Sequence, residues 1–191
     1  MQILETQRLV LRPLTMDDVV DVYRELYSDS AVVRYYSGKG VRTLEETRQY
    51  VADHLVVWQE EDLGRLAVVR QEDGQFLGQV HLDCYVNSFY RWQAEPNPTY
   101  NALEVELGFA FGQRFWGKSY AFEACQAMID YAFGRLRLPR LVGGAMSENY
   151  RSIALQRRLG YRLEASLDGA GYVTILENHL TSSAPTSAHA S

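Results

Sequence analysis

From Gly108 to Ala124 the chain reads Gly-Phe-Ala-Phe-Gly-Gln-Arg-Phe-Trp-Gly-Lys-Ser-Tyr-Ala-Phe-Glu-Ala. An apolar strand passes through a turn holding Gly112 and Gly117 and enters a helix near Ser119. Successive N–H groups at a helix start form an anion site, and the helix dipole adds about 0.3–1 kcal/mol there. Glycine lets the backbone approach a phosphate with no Cβ between them. Arg114 and Lys118 add positive charge. The chemistry these residues suit is phosphate binding. Gly112, Gly117, Lys118 and Ser119 also satisfy the P-loop pattern Gly-x-x-x-x-Gly-Lys-Ser letter by letter. A P-loop protein needs a parallel sheet and a magnesium-binding aspartate on a neighbouring strand, and the sequence shows no such run. Glu104 and Glu106 sit two residues apart on the strand that feeds the loop, which places both on one face.

The charge distribution agrees with an anionic ligand. Residues 113–162 hold nine Lys/Arg against three Asp/Glu, so that stretch is +6 and the remainder −11, within a net charge of −5. Such segregation suits an anion on one part and a cationic partner on the other. The net negative charge argues against general nucleic-acid binding. No apolar run approaches the ~20 residues of a membrane span. No basic stretch followed by an apolar one opens the chain, so no secretory signal is expected. Cys84 and Cys125 fall inside apolar stretches and form neither a disulfide framework nor a metal pattern. A cytoplasmic protein without a metal site is the expectation.

The elements that must position these residues follow from periodicity. The chain of 191 residues, 47 % apolar and 23 % charged, suits one globular domain over residues 1–180. Residues 181–191, only Ser, Thr, Ala, Pro and one His, read as a disordered tail. Strands are expected at Gln7–Pro13, Arg65–Arg70, Phe76–Val86, Leu103–Phe111, Arg140–Ala145, Tyr161–Ala165 and Tyr172–Glu177. Helices are expected from Thr15 to Tyr27, from the capping box at Thr43 to Trp58, from Ser119 to Phe133 and from Asn149 to Leu159. This order predicts a mixed α/β sheet with helices on both faces. His54 and His81 fall in apolar patterns and read as core. Residues 87–102 carry Phe89, Tyr90, Trp92 and Tyr100 among prolines and asparagines, too irregular for a hairpin.

Three motifs carry a resemblance. Arg114-x-x-Gly117-x-Ser119 resembles the Gln/Arg-x-x-Gly-x-Gly/Ala acetyl-coenzyme A loop of the GNAT superfamily of N-acetyltransferases. Trp116-Gly117-Lys118-Ser119-Tyr120-Ala121-Phe122-Glu123-Ala124 is similar to the Trp-Gly-Lys-Gly-Tyr-Ala-x-Glu-Ala of the ribosomal-protein alanine N-acetyltransferase branch. Glu5–Leu14 resembles the first strand of that branch, and Asn149-x-x-Ser152 followed by Leu159-Gly160-Tyr161 its late motif. The motifs occur in the family's order across residues 5–178.

The resemblance implies a mostly antiparallel mixed sheet of six to seven strands with about four helices. It implies transfer of an acetyl group from acetyl-CoA to a primary amine, of a protein N-terminus or a small molecule, in a ternary complex. The protein would be a monomer or homodimer. It assigns cofactor contacts to Phe109, Ala110, Phe111, Arg114, Gly117, Lys118, Ser119, Tyr120, Ala121, Asn149, Ser152 and Arg157, with Arg151 a further phosphate partner. Two departures stand out. Ser119 replaces the last small residue of the loop, and serine caps helices well. Gln156 stands where many members carry a tyrosine acid, so Ser152 becomes the group nearest the departing sulfur. The missing tyrosine also keeps open a non-catalytic coenzyme A-binding or partner-binding module. An attacking amine must first be neutral, which at pH 7 costs about 4.6 kcal/mol for a lysine-type amine but only ~1–1.4 for an α-amine. A nearby carboxylate lowers that cost. Glu106 is the favoured base, with Glu104 and Asp168 as alternatives, and the aromatic loop Asn87–Asn101 is expected to help bind the acceptor.

Overall fold

The protein is described here by a computed structural model covering residues 3–36, 40–58, 63–86, 103–166 and 169–179. The aromatic loop, Asp168 and the tail lie outside the described residues. Two-residue alternation splits the sheet into two apolar faces from its first full strand onward. In β2 (Leu9–Pro13), Leu9 and Leu11 are fully buried on one face. Leu66 and Val68 of β3 (Gly64–Arg70), Val80 and Leu82 of β4 (Phe76–Val86), and Val105 and Leu107 of β5 (Leu103–Phe111) belong to the same core. It is closed by Ala124, Cys125 and Met128 of α4 (Tyr120–Asp130). Ala67 and Ala110 join the second core, beneath α1 (Val19–Val22), α2 (Ser30–Tyr36) and α3 (Leu44–Trp58).

A two-residue strand, β1 (Leu4–Glu5), pairs with β2 and opens the sheet. After β5 come α4, β6 (Arg140–Met146), α5 (Tyr150–Arg158), β7 (Arg162–Ala165) and β8 (Gly171–Glu177). The described strands form one eight-stranded sheet in the order β1-β2-β3-β4-β5-β6-β8-β7, antiparallel except between β5 and β6. The expected six to seven strands become eight because Thr6 turns the chain before β2, its N–H bonded to Leu9 O at 2.9 Å. A further helix, α2, was not expected. Asp29 Oδ1 caps it by accepting from the Ala31 N–H at 2.8 Å.

Local signals account for most boundaries. Thr15 and Asp18 form a capping box ahead of a 3₁₀ turn that leads into α1. Thr43 and Glu46 do the same ahead of α3, with the Thr43 N–H donating to Glu46 Oε2 at 2.7 Å. Helix α5 ends at Gly160, whose φ of +92° is the left-handed conformation that glycine adopts without strain. Two helices widen where simple periodicity expects them to continue: α1 runs into a π turn at Tyr23–Tyr27 and α4 into one at Tyr131–Arg135. Among the described residues no helix is long and apolar enough to cross a membrane.

Candidate active site

Strands β4 and β5 pair continuously from Gly78–Phe111 to Val86–Leu103. By contrast, β5 and β6 are in register at one position, Glu106 with Val142. Beyond it no further pairing between the two parallel strands is formed towards their C-terminal ends, so β6 does not continue the ladder along Gly108–Phe111. Both following helices start at this opening. Ligand clefts at the C-terminal ends of parallel strands arise in this way in α/β sheets.

The turn from β5 into α4 is held from several sides. The indole N–H of Trp116 donates to Phe111 O at 2.7 Å, and the Arg151 guanidinium of α5 lies 5.1 Å from the Trp116 ring. Gly117 has φ +75°, and a Cβ there would meet nothing within 4 Å, so the backbone borders open space. Ser119 is not the extended capping serine its sequence suggests. Its φ of 61° is left-handed, and its side chain makes no cap bond to the helix. The first-turn N–H groups of α4 are therefore uncapped and point outward, which is the arrangement an anion needs.

Cations surround that helix start, though not all as expected. Arg114 is gripped by Glu25 of the π turn, with Nε to Oε2 at 2.9 Å and Nη2 to Oε1 at 2.5 Å. Gly112 makes room for this carboxylate, since a Cβ there would lie 2.8 Å from Glu25 Oε2. Lys118 is exposed, 6.0 Å from the Phe115 ring centre. Arg157 is exposed in the last turn of α5. Its neighbour Arg158, which motif matching passed over, stacks 3.8 Å from the Phe122 ring centre and reaches Ser119 Oγ at 3.4 Å. Tyr120 is buried beneath the Arg8 guanidinium at 4.5 Å, Phe111 and Ala110 are buried, and Phe109 and Ala121 pack against the first core.

On α5, Asn149 accepts from the Ser152 N–H at 3.2 Å and caps the helix. Ser152 is 9 % and Gln156 5 % exposed. Gln156 Nε2 donates to Ser152 Oγ at 2.9 Å and to Gly144 O at 3.4 Å. A serine oxygen that accepts in this way keeps its own proton for another partner. Gln156 Oε1 and Thr174 Oγ1 are buried without a hydrogen-bond partner. Both lie near the vacant side-chain position of Gly143, 3.4 and 2.8 Å from where its Cβ would stand, with Leu107 O at 3.7 Å. Orphaned polar atoms beside the strand opening suit a ligand that carries amides.

The opposite face of the sheet carries a polar row. Arg65 of β3 donates to Tyr36 Oη at 3.0 Å, His81 Nδ1 at 2.8 Å and Asp83 Oδ2 at 2.6 Å. Burial and the nearby guanidinium push the His81 imidazole well down, so it is neutral and Nδ1 is an acceptor. Reading His81 as core is right about its burial, but its polar contacts tie it to the row. Its ring needs Gly108, where a Cβ would sit 2.1 Å from Nε2. Asp83 stands directly opposite Glu106 across β4 and β5. Burial, with Asp83 second and Arg65 opposing, pushes Glu106 up to about 7. Glu104 is different: 3 % exposed, it is clasped by Arg140, whose Nε donates to Oε2 at 2.9 Å. Both Glu104 oxygens are engaged by the Arg140 guanidinium, whereas a carboxylate poised near neutrality is a good base.

Comparison with known proteins agrees with this geometry. The sequence model of the acetyltransferase (GNAT) domain matches residues 8–162. The uncharacterized N-acetyltransferase p20 of Bacillus licheniformis is 28 % identical over 167 residues, covering 87 % of this chain and 86 % of its own. The spermidine N(1)-acetyltransferase of Escherichia coli K12 is 26 % identical over 157 residues, covering 82 % and 74 %. Among solved structures, a ribosomal L7/L12 alpha-N-protein acetyltransferase in complex with coenzyme A superposes with a TM-score of 0.72. It covers 92 % of this chain and 98 % of that one, at 17 % identity, a likeness of fold. With the domain matched from its second strand to the start of its seventh, the chain belongs to the GNAT family and is an N-acetyltransferase.

Proposed function

We propose that the protein transfers an acetyl group from acetyl-CoA to a primary amine, of a protein N-terminus or a small molecule, by direct attack in a ternary complex. The observation that carries this reading is the end of β5–β6 pairing after a single position, with Glu106 at that position and an uncapped helix start after β5. The buried thiol of Cys125 suits a protein working in the cytoplasm, as monomer or homodimer.

Acetyl-CoA supplies a thioester carbonyl for the amine to attack. The chain's part is to hold and orient. The edge of β5 at Phe109, Ala110 and Phe111 offers backbone groups to the pantetheine amides. Gly117, Ser119, Tyr120 and Ala121 offer N–H groups to the pyrophosphate, and Lys118, Arg157 and Arg158 supply cations. Arg114 braces the turn through Glu25. Asn149 fixes the start of α5, so that the Ser152 hydroxyl can donate a hydrogen bond to the departing sulfur. Glu106 takes a proton from the amine, directly or through water. Positioning of this kind, with hydrogen bonding to the thioester oxygen, makes up the remainder of the catalysis.

Release of free thiol measures the reaction. Activity requires ionised Glu106, and its pKa is about 7, so kcat/KM should rise with pH through about 7 and then level. Glu106→Gln should lower turnover by about 10²–10⁴ and lose that rise, with coenzyme A affinity kept. A wild-type profile in the variant moves the base to Asp168 or to water, and no thiol release with any primary amine overturns the proposed transfer.

A further inference from the structure

Three strands place Arg65, Asp83 and Glu106 in one row. Arg65 and His81 are cross-strand partners, and so are Asp83 and Glu106. Paired positions of this kind bring Cβ atoms within about 4.5–5.5 Å on one face. Arg65 is largely buried; its Nη1 donates to Tyr36 and His81 and its Nη2 to Asp83, while its Nε is buried without a hydrogen-bond partner. His81 Nε2 lies 3.5 Å from the same Asp83 oxygen, while Asp83 Oδ1 is buried without a hydrogen-bond partner.

We propose that Asp83 is a positioning residue for the reaction: it claims the Arg65 guanidinium and so keeps Glu106 from becoming that arginine's ion-pair partner. The inference rests on the reading of Glu106 as base. A permanently charged guanidinium paired with Glu106 would hold that carboxylate ionised and strip its basicity. With Asp83 interposed, the guanidinium is neutralised locally and Glu106 faces a negative charge instead. Other groups near the row do not replace this function. Glu104 is bound to Arg140. Burial keeps Tyr161, beyond α5, and Tyr36 neutral phenols, and burial pushes His54 of α3 down. Tyr50 adds a phenol bonded to Gln79 at 3.3 Å. Asp83 is therefore the anion among them that stands between Arg65 and Glu106.

The sign of the effect follows. Asp83→Asn removes a negative charge opposite Glu106 and releases Arg65, and both changes favour the carboxylate. The acid limb of kcat/KM should move to lower pH by about one unit, with a lower plateau because the base is weaker. Arg65→Gln should move the limb the other way, and Asp83→Glu should restore its wild-type position. A purely structural role would reduce folded protein and turnover without moving the limb. Glu106→Gln separates the two claims. Should that variant keep the limb, the reading of Glu106 as base fails. Should it lose the limb while folded Asp83→Asn leaves it in place, the role given to Asp83 is overturned. Should Asp83→Asn fail to fold, an unmoved limb in Arg65→Gln overturns it equally.

Discussion

Gly117 is where backbone conformation and ligand access coincide. Its left-handed φ disfavours any L side chain, and the space beside it is open. A valine there would force the turn to adjust and place methyl groups where the backbone faces a phosphate. Gly117→Val should weaken coenzyme A binding at least tenfold, about 1.4 kcal/mol, by calorimetry. Unchanged affinity in a folded variant would move the pyrophosphate elsewhere. Gln156 shows a different residue-scale outcome. As a missing acid it is a loss, but its amide fixes Ser152 as a donor, and that bond is visible only once α5 has brought positions four apart together.

At the scale of elements, Asn149 is the clearest dependency. It ends the turn after β6, caps α5 and sets the height of Ser152 in one hydrogen bond. Asn149→Ala should cost about 0.5–2 kcal/mol of stability in denaturant unfolding and should lower kcat more than coenzyme A affinity. Equal loss of both would show that the helix start moves as a block. Caps and alternating strands were legible because each is written within a few residues, as at Thr15–Asp18 and Thr43–Glu46. The motif from Trp116 to Ala124 located the helix start for the same reason. The row of Arg65, Asp83 and Glu106 was not legible. Its members lie on three strands and meet only through register, and nothing local marks Asp83 as different from a solvated strand aspartate. The ion pair of Arg114 was not legible either, because Glu25, its partner, is 89 positions away.

For the whole molecule, the segregation of charge acquires a place. The basic stretch contains both helix starts at the opening, and the acidic remainder contains Glu25, Asp83 and Glu106, with the polar row on the other side of the sheet. Acetyl-CoA at 100 times its dissociation constant should add about 2.7 kcal/mol, raising Tm by roughly 5–10 °C, whereas ATP with magnesium should not. The reverse result in a thermal shift would revive the P-loop reading. The lone Glu106–Val142 pairing also divides the sheet mechanically. Five strands lie on one side of it and β6, β8 and β7 on the other, two panels joined at a seam by one ladder position and the Arg140–Glu104 ion pair. Separating the panels breaks fewer ladder bonds than unravelling either, so what holds them is chiefly the shared first core, which includes Leu107, Leu141 and Tyr161. A molecule lodged in the seam then acts as mortar, and the empty protein should lose its cooperativity of unfolding before it loses its strands.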